Sequence, residues 1–364
     1  MAFTLEELVD YASVAGASDI HLACGLPPKL RIDGSLQDAG GCGPLSAEDC
    51  EAYARQIGGA AFEEMGSCGE LDLSFSLNGL RIRGNIFRQQ GKASIALRLL
   101  ATRIPDLDSL GVPRAVLEFP NVQRGIILVT GETGSGKSTT MAALLDRINH
   151  TRADHIITLE DPIEYLHTPD RCLINQREIG TDTRSYADAL RAVLREDPDV
   201  ILIGEMRDLD TIETALTAAE TGHMVLGTLH TKSAADAIDR MVDVFPSERQ
   251  RQIRMQVSTC LHAVLAQQLV RKKGGGRVLA AELMVVTPAI RNLIREAKTP
   301  QIANALATSA SVGSVTMDNS LLELYRSGVI DASTAVEAAI DQEYVRNNSS
   351  RGEGSAPGQP GGSE

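Results

Sequence analysis

The segment Gly131-Glu-Thr-Gly-Ser-Gly-Lys-Ser138 spaces its glycines, lysine and hydroxyl as G-x-x-x-x-G-K-[ST]. Glycines let the backbone curl so that successive N–H groups converge on phosphates, and a helix starting there adds its dipole. Gly131, Thr133, Gly134, Ser135, Gly136 and Thr139 are the expected cradle. Lys137 is expected to reach the β- and γ-phosphates and the Ser138 hydroxyl to ligate Mg²⁺. The apolar run Gly125–Thr130 enters the segment and an Ala/Leu-rich run leaves it. Strand and helix are thus both where this motif needs them, which predicts a nucleoside triphosphate site.

Three more segments bring polar groups to the ends of apolar runs. Asp197-Pro-Asp-Val-Ile-Leu-Ile-Gly-Glu205 ends in a carboxylate. In a parallel sheet that end lines the ligand crevice, where Glu205 would activate the attacking water. Gly204 holds the usual Walker-B aspartate position, so the metal must be held otherwise, for instance through water. Read alone, Glu205 is also consistent with an exposed strand end. Ile157–Glu164 ends in Glu160, Asp161 and Glu164, which suit Mg²⁺ and water positioning or, equally, turns and caps. His223 and His230 bracket a further strand. His230, just past it, would contact the γ-phosphate, although a single histidine is as readily a structural residue.

These residues need a sheet to hold them. From about residue 123, short apolar strands (Ile126–Val129, Ile156–Leu159, Val200–Ile203, Met224–Leu226) alternate with helical stretches ending near Asn149 or spanning Ser185–Arg195 and Leu209–Glu220. That alternation predicts an α/β fold with a mostly parallel sheet. Gln250–Leu269 reads as one long helix, Leu269–Val286 as a hairpin turning at Gly274–Gly276, and a helical extension starts near Pro288. Residues 1–112 read as a smaller α+β domain, with a helix over Leu5–Ala12. Its strand-like runs are Asp19–Leu22, Pro28–Ile32, Leu71–Phe75, Leu80–Arg83 and Ile95–Leu99. Residues 113–122 read as a linker, 123–345 as the P-loop domain, and 346–364, rich in Gly, Ser and Pro, as a disordered tail.

Composition narrows the function classes. The 364 residues carry 48 acidic and 35 basic side chains, a net charge of −13, with 12 aromatic rings and no Trp. Acidity argues against coating a polyanion, and scarce rings argue against a base-stacking platform. Six dispersed cysteines with no C-x-x-C pair predict free thiols and no zinc site. The acidic N-terminus lacks signal-peptide character and no apolar run approaches bilayer length, so a cytoplasmic protein is expected.

Taken together, the segments resemble the secretion-superfamily ATPases of type IV pili and type II secretion. The Walker A segment, the acidic box Ile157–Glu164, the atypical Walker B Leu194–Asp208 (with Gly-Glu-Met-Arg-Asp, including Arg207) and the histidine box Thr217–His230 stand in family order. Ala17-Ser-Asp-Ile-His-Leu22 and Arg31-Ile-Asp-Gly34 match the first domain, and Ala289–Glu296 matches the pilus-retraction branch. The resemblance implies a PAS-like N-terminal domain, a RecA-like ATPase domain and a ring-shaped homohexamer binding ATP and Mg. It implies that Arg83 and Arg98 reach the nucleotide; without it they read as solvated strand charges. It further implies hydrolysis that drives retraction through a PilC-like inner-membrane platform protein at the cytoplasmic face, opposing a pilus-extension ATPase indirectly. Glu132 stands where the family commonly has proline, and a carboxylate there is mildly adverse to phosphates. The extension or secretion ATPases typically add an N-terminal domain and a four-cysteine zinc insert, neither of which is present. A RecA-like nucleic-acid motor would need a basic track, and the compact cluster Arg271–Lys273 with Arg277 is not one. A non-hydrolysing accessory relative is disfavoured by intact Glu164, Glu205 and His230.

Overall fold

The computed structural model describes residues 3–32, 34–67, 69–100 and 103–350. Asp33 of the Arg31–Gly34 motif, Cys68 and residues 351–364 of the expected tail lie outside the described residues. The chain forms two compact units. One runs to Ile104 and includes Pro162–Leu166; the other comprises Pro105–Asp161 and the chain from His167.

In the first unit, helix α1 (Leu5–Val14) starts at a Thr4 capping box, with Glu7 answering from the third helical position. Strands β1 (Asp19–Ala23), β2 (Lys29–Ile32) and β3 (Ser35–Asp38) follow, then helix α2 (Ala47–Met65), β4 (Glu70–Leu77), β5 (Leu80–Gln89) and β6 (Lys92–Leu99). The sheet order is β3-β2-β1-β6-β5-β4, all antiparallel. Alternation sends Ile20, Leu22, Ile82, Ile95 and Leu97 into a core shared with Leu8, Val9 and Phe62 of the helices. Asp19, Arg83 and Arg98 point to the opposite face.

In the second unit, β7 (Gly125–Thr130) leads to α3 (Lys137–Thr151), β8 (His155–Glu160), β9 (Leu173–Glu178), α4 (Tyr186–Val193), β10 (Val200–Ile203), α5 (Leu209–Glu220) and β11 (Met224–Leu229). Then come α6 (Ala234–Asp243), α7 (Ser247–Cys260), β12 (Leu261–Arg271) and β13 (Arg277–Val285). The sheet order is β13-β12-β7-β11-β10-β8-β9, parallel except for the β12–β13 hairpin. Strands β7, β10 and β11 are buried at every residue, as central parallel strands covered on both faces must be. Helices α8 (Pro288–Arg295), α9 (Ile302–Ala307), α10 (Met317–Arg326), α11 (Ala332–Ala338) and α12 (Gln342–Ser350) complete the extension. In α8, Ile290 and Ile294 enter the core while Arg291 donates to the Ser258 and Thr259 carbonyls at the end of α7. No helix among the described residues is long and apolar enough to cross a membrane.

Three expectations change. The long helix over Gln250–Leu269 breaks at Cys260, because Leu261 and Ala263–Ala266 are all buried beside β7 and a helix could not bury every side. The linker at 113–122 is a 3₁₀ segment, Arg114–Asn121, which buries Val116 and Phe119. Arg152 fixes its end by donating to the Pro120 and Val122 carbonyls at 3.0 and 2.8 Å. Likewise Leu107 is buried and Arg147 of α3 pairs with Asp106 and Asp108, so the unit boundary moves back to Ile104. Finally, Asn347–Ser350 continue α12 rather than opening the tail. Val345 and Ser349 are buried and the Tyr325 hydroxyl reaches the Ser349 carbonyl.

Candidate functional site

The site grows from the carboxyl edge of the parallel sheet. Pairing registers Leu229 of β11 with Thr130 of β7, Gly227 with Ile203 of β10, and Ile203 with Leu159 of β8. Gly131, His230, Gly204–Glu205 and Glu160 therefore leave adjacent strands at one edge. His223 precedes β11 and sits at the other edge, about 23 Å away at about 3.3 Å per residue. There its Nδ1 meets the Ala218 carbonyl at 2.9 Å and the Thr221 hydroxyl at 3.1 Å. The two histidines that bracket β11 thus do not share a site.

Gly131, Gly134 and Gly136 have φ of 143°, 80° and 93°, values that turn the strand into the phosphate arch. At Gly131 a Cβ would lie 2.3 Å from the Gln267 carbonyl oxygen, so no other residue fits. Helix α3 begins at Lys137 with no side-chain cap, leaving its first N–H groups for an anion. Lys137 Nζ donates to the Gly131 and Glu132 carbonyls at 2.8 and 2.9 Å, bridging the arch from within. Glu132 turns outward to an exposed ion pair with Lys232 at 3.0 Å. Its charge is thereby partly offset, by an interaction of under about 1 kcal/mol.

Glu205 is held by two neighbours. Its Oε1 accepts from Arg207 Nε and lies 3.1 Å from His230 Nε2, and its side chain is only 18% exposed. Glu160 Oε1 accepts from Thr158 Oγ1 at 2.7 Å and Gln176 Nε2 at 3.1 Å. Burial, then the Asp161, Glu205 and Glu160 carboxylates, push the Tyr186 phenol far above its ordinary range. Its Oη stands against Gly204, beside the strand end that carries Glu205. At Gly204 a Cβ would stand 3.0 Å from both the Leu159 carbonyl oxygen and Tyr186 Oη. An aspartate at this position would therefore require its neighbours to give way. Gly204→Asp is expected to destabilise the fold by about 1–3 kcal/mol through overpacking. Thermal unfolding checks this; an unchanged midpoint would contradict it.

The sequence-predicted residues Gly131, Thr133–Thr139, Glu160, Asp161, Glu205, Arg207 and His230 all belong to this edge of the second unit. Glu164 does not: it falls in Pro162–Leu166, which groups with the first unit. Arg83 and Arg98 are exposed and directly opposed on β5 and β6. Two residues escaped sequence reasoning. Tyr186 looks like an ordinary helix start after the Ser185 cap. Gln267, nearly fully buried on β12, donates from Nε2 to Thr140 Oγ1 at 2.8 Å and backs the arch with its carbonyl. A buried glutamine inside an apolar run was the available signal.

For Mg²⁺, the described residues contain no cluster of three or more His, Cys, Asp or Glu able to hold a metal ion. A hard cation that keeps its waters and takes one hydroxyl plus substrate phosphates fits that donor set. The buried Ser135 Oγ and Thr130 Oγ1 have no hydrogen-bond partner among the described residues, which fits a site that receives further polar groups.

A parallel sheet with this arch, a strand-end glutamate and a facing histidine defines a P-loop ATPase. The Type II/IV secretion system protein family matches residues 67–327, and the chain belongs to that family. The type IV pilus retraction ATPase PilT of Pseudomonas aeruginosa is 47% identical over 340 residues, 92% of this chain and 98% of that protein. The type IV pilus ATPase PilU of the same organism is 35% identical over 344 residues, 94% and 90% of the two chains. The crystal structure of the pilus retraction motor PilT with bound ADP has a TM-score of 0.89 at 46% identity, covering 94% of this chain and 98% of that one.

Proposed function

We propose that this chain is the ATP-driven motor of type IV pilus retraction, the engine of pilin depolymerisation and twitching motility. The carrying observation is that Lys137, Glu205 and His230 meet at one sheet edge in a chain similar to PilT over nearly the full length of both. In this reading the first unit is PAS-like and the second RecA-like. Six copies form a ring at the cytoplasmic face of the inner membrane and turn a PilC-like platform protein. The opposing extension ATPase is affected only indirectly.

Catalysis follows from the side chains. Lys137 exchanges its two carbonyl partners for the β- and γ-phosphates, and the α3 N–H groups close on them. Ser138 would hold Mg²⁺, which, when bound, neutralises phosphate charge. Glu205 takes the proton of the attacking water; Glu160 and Asp161, on the same edge, order water around it. His230, already against Glu205, contacts the γ-phosphate and registers its departure. Arg83 and Arg98 neutralise charge on the transferring group. Arg207 holds Glu205 in place.

Deletion of the gene tests the direction of work. Surplus pili that extend and never retract are expected, with twitching abolished. Cells without pili would instead assign the chain to extension.

A further inference from the structure

The outer face of the first sheet carries a row of charges whose arrangement the nucleotide-facing role alone does not explain. Strand register sets Arg31 opposite Asp19, Asp19 opposite Arg98, and Arg98 opposite Arg83. Three guanidiniums thus share one row with one carboxylate. Like charges directly opposed across strands, as Arg83 and Arg98 are, destabilise a sheet unless a counter-charge intervenes.

Asp19 is that counter-charge. Its Oδ1 accepts from Arg98 Nε at 2.9 Å, its Oδ2 accepts from Ser18 Oγ at 2.7 Å, and Arg31 Nε lies 3.8 Å away. Burial opposes its ionisation, but the Ser18 and Arg98 hydrogen bonds outweigh this and hold the carboxyl below its ordinary range. The geometry of the pair is one-sided. The Asp19 side chain is 12% exposed while that of Arg98 is 66% exposed. Arg98 is therefore gripped at Nε, and its two terminal nitrogens have no partner among the described residues. Those nitrogens form the fork that binds phosphate oxygens in pairs.

We propose that Asp19 is a positioning residue for hydrolysis: it fixes the Arg98 guanidinium by Nε and so holds the terminal fork ready for the phosphate oxygens of ATP. The inference rests on the reading above, in which Arg98 serves the nucleotide. Arg31, donating from Nη1 to the Gly34 carbonyl at 2.9 Å, braces the acid from its other side. An arginine aligned before the nucleotide arrives loses less side-chain freedom on engaging it.

The test is a double-mutant cycle on the full-length protein, with steady-state ATPase and unfolding midpoints measured together. Arg98→Ala should lower kcat by more than about tenfold. Asp19→Ala should lower kcat by about tenfold with KM for ATP changed less than about twofold, and Asp19→Asn, which keeps the shape, should fall between. Asp19→Ala added to Arg98→Ala should cost nothing further, because Asp19 then has no arginine left to align. Losses that multiply, or wild-type kcat in both Asp19 variants while Arg98→Ala is impaired, would overturn the positioning role. Wild-type kcat in Arg98→Ala would overturn the reading of Arg98 itself, and the role of Asp19 with it.

Discussion

Glu205→Gln is expected to keep ATP binding within a few-fold of wild type while hydrolysis falls by about 100- to 10,000-fold, the range for losing a general base. The substitution is close to isosteric, and its amide oxygen still accepts from Arg207 Nε and faces His230, the two groups that hold Oε1 now. What is lost is the ability to take a proton from water. Phosphate release and fluorescent-nucleotide binding measured side by side separate the two effects. Near-normal hydrolysis would place the base elsewhere, with Glu160 the next candidate on the same edge. That alternative starts at a disadvantage, since Glu160 already accepts from Thr158 and Gln176.

Lys137→Ala is expected to abolish useful affinity rather than chemistry alone. Nζ spans the arch to two carbonyls, and in the bound state it would give those hydrogen bonds to phosphate instead. Charge-assisted bonds are worth about 1.5–3 kcal/mol each, so losing two costs about 3 kcal/mol or more, roughly a 100-fold rise in Kd. Nucleotide titration reads this directly. Unaltered binding would mean that the α3 N–H groups and arch backbone suffice. Paired with Glu205→Gln, it separates failure to bind from failure to turn over.

The arch was legible in the sequence because every requirement of a phosphate cradle is local: glycines at set spacing, a strand before, a helix after. Glu205 and His230 were legible as strand ends, but their meeting depended on β10 and β11 being neighbours, which only tertiary pairing decides. His223 shows the reverse. It lies seven positions from His230, and a β-strand of that length carries it to the opposite edge of the sheet. The helix expected through Leu269 failed for a related reason. A run buried at every residue has no period to read, and Ala263–Ala266 of β12 is such a run. Gly204 is readable in the sequence as a departure from the usual aspartate, but the tight space around it is set by Leu159 and Tyr186, distant in sequence and adjacent in space. The alignment of Asp19 with Arg98 likewise follows from a register between residues 79 apart.

Retraction driven by hydrolysis at this edge is most directly tested in cells whose only copy of the gene carries Glu205→Gln, by counting extension and retraction events of labelled pili. Pili that extend normally and do not retract, in cells where the wild-type gene restores retraction, are the expected result. Retraction at the wild-type rate, or loss of pili altogether, would contradict it.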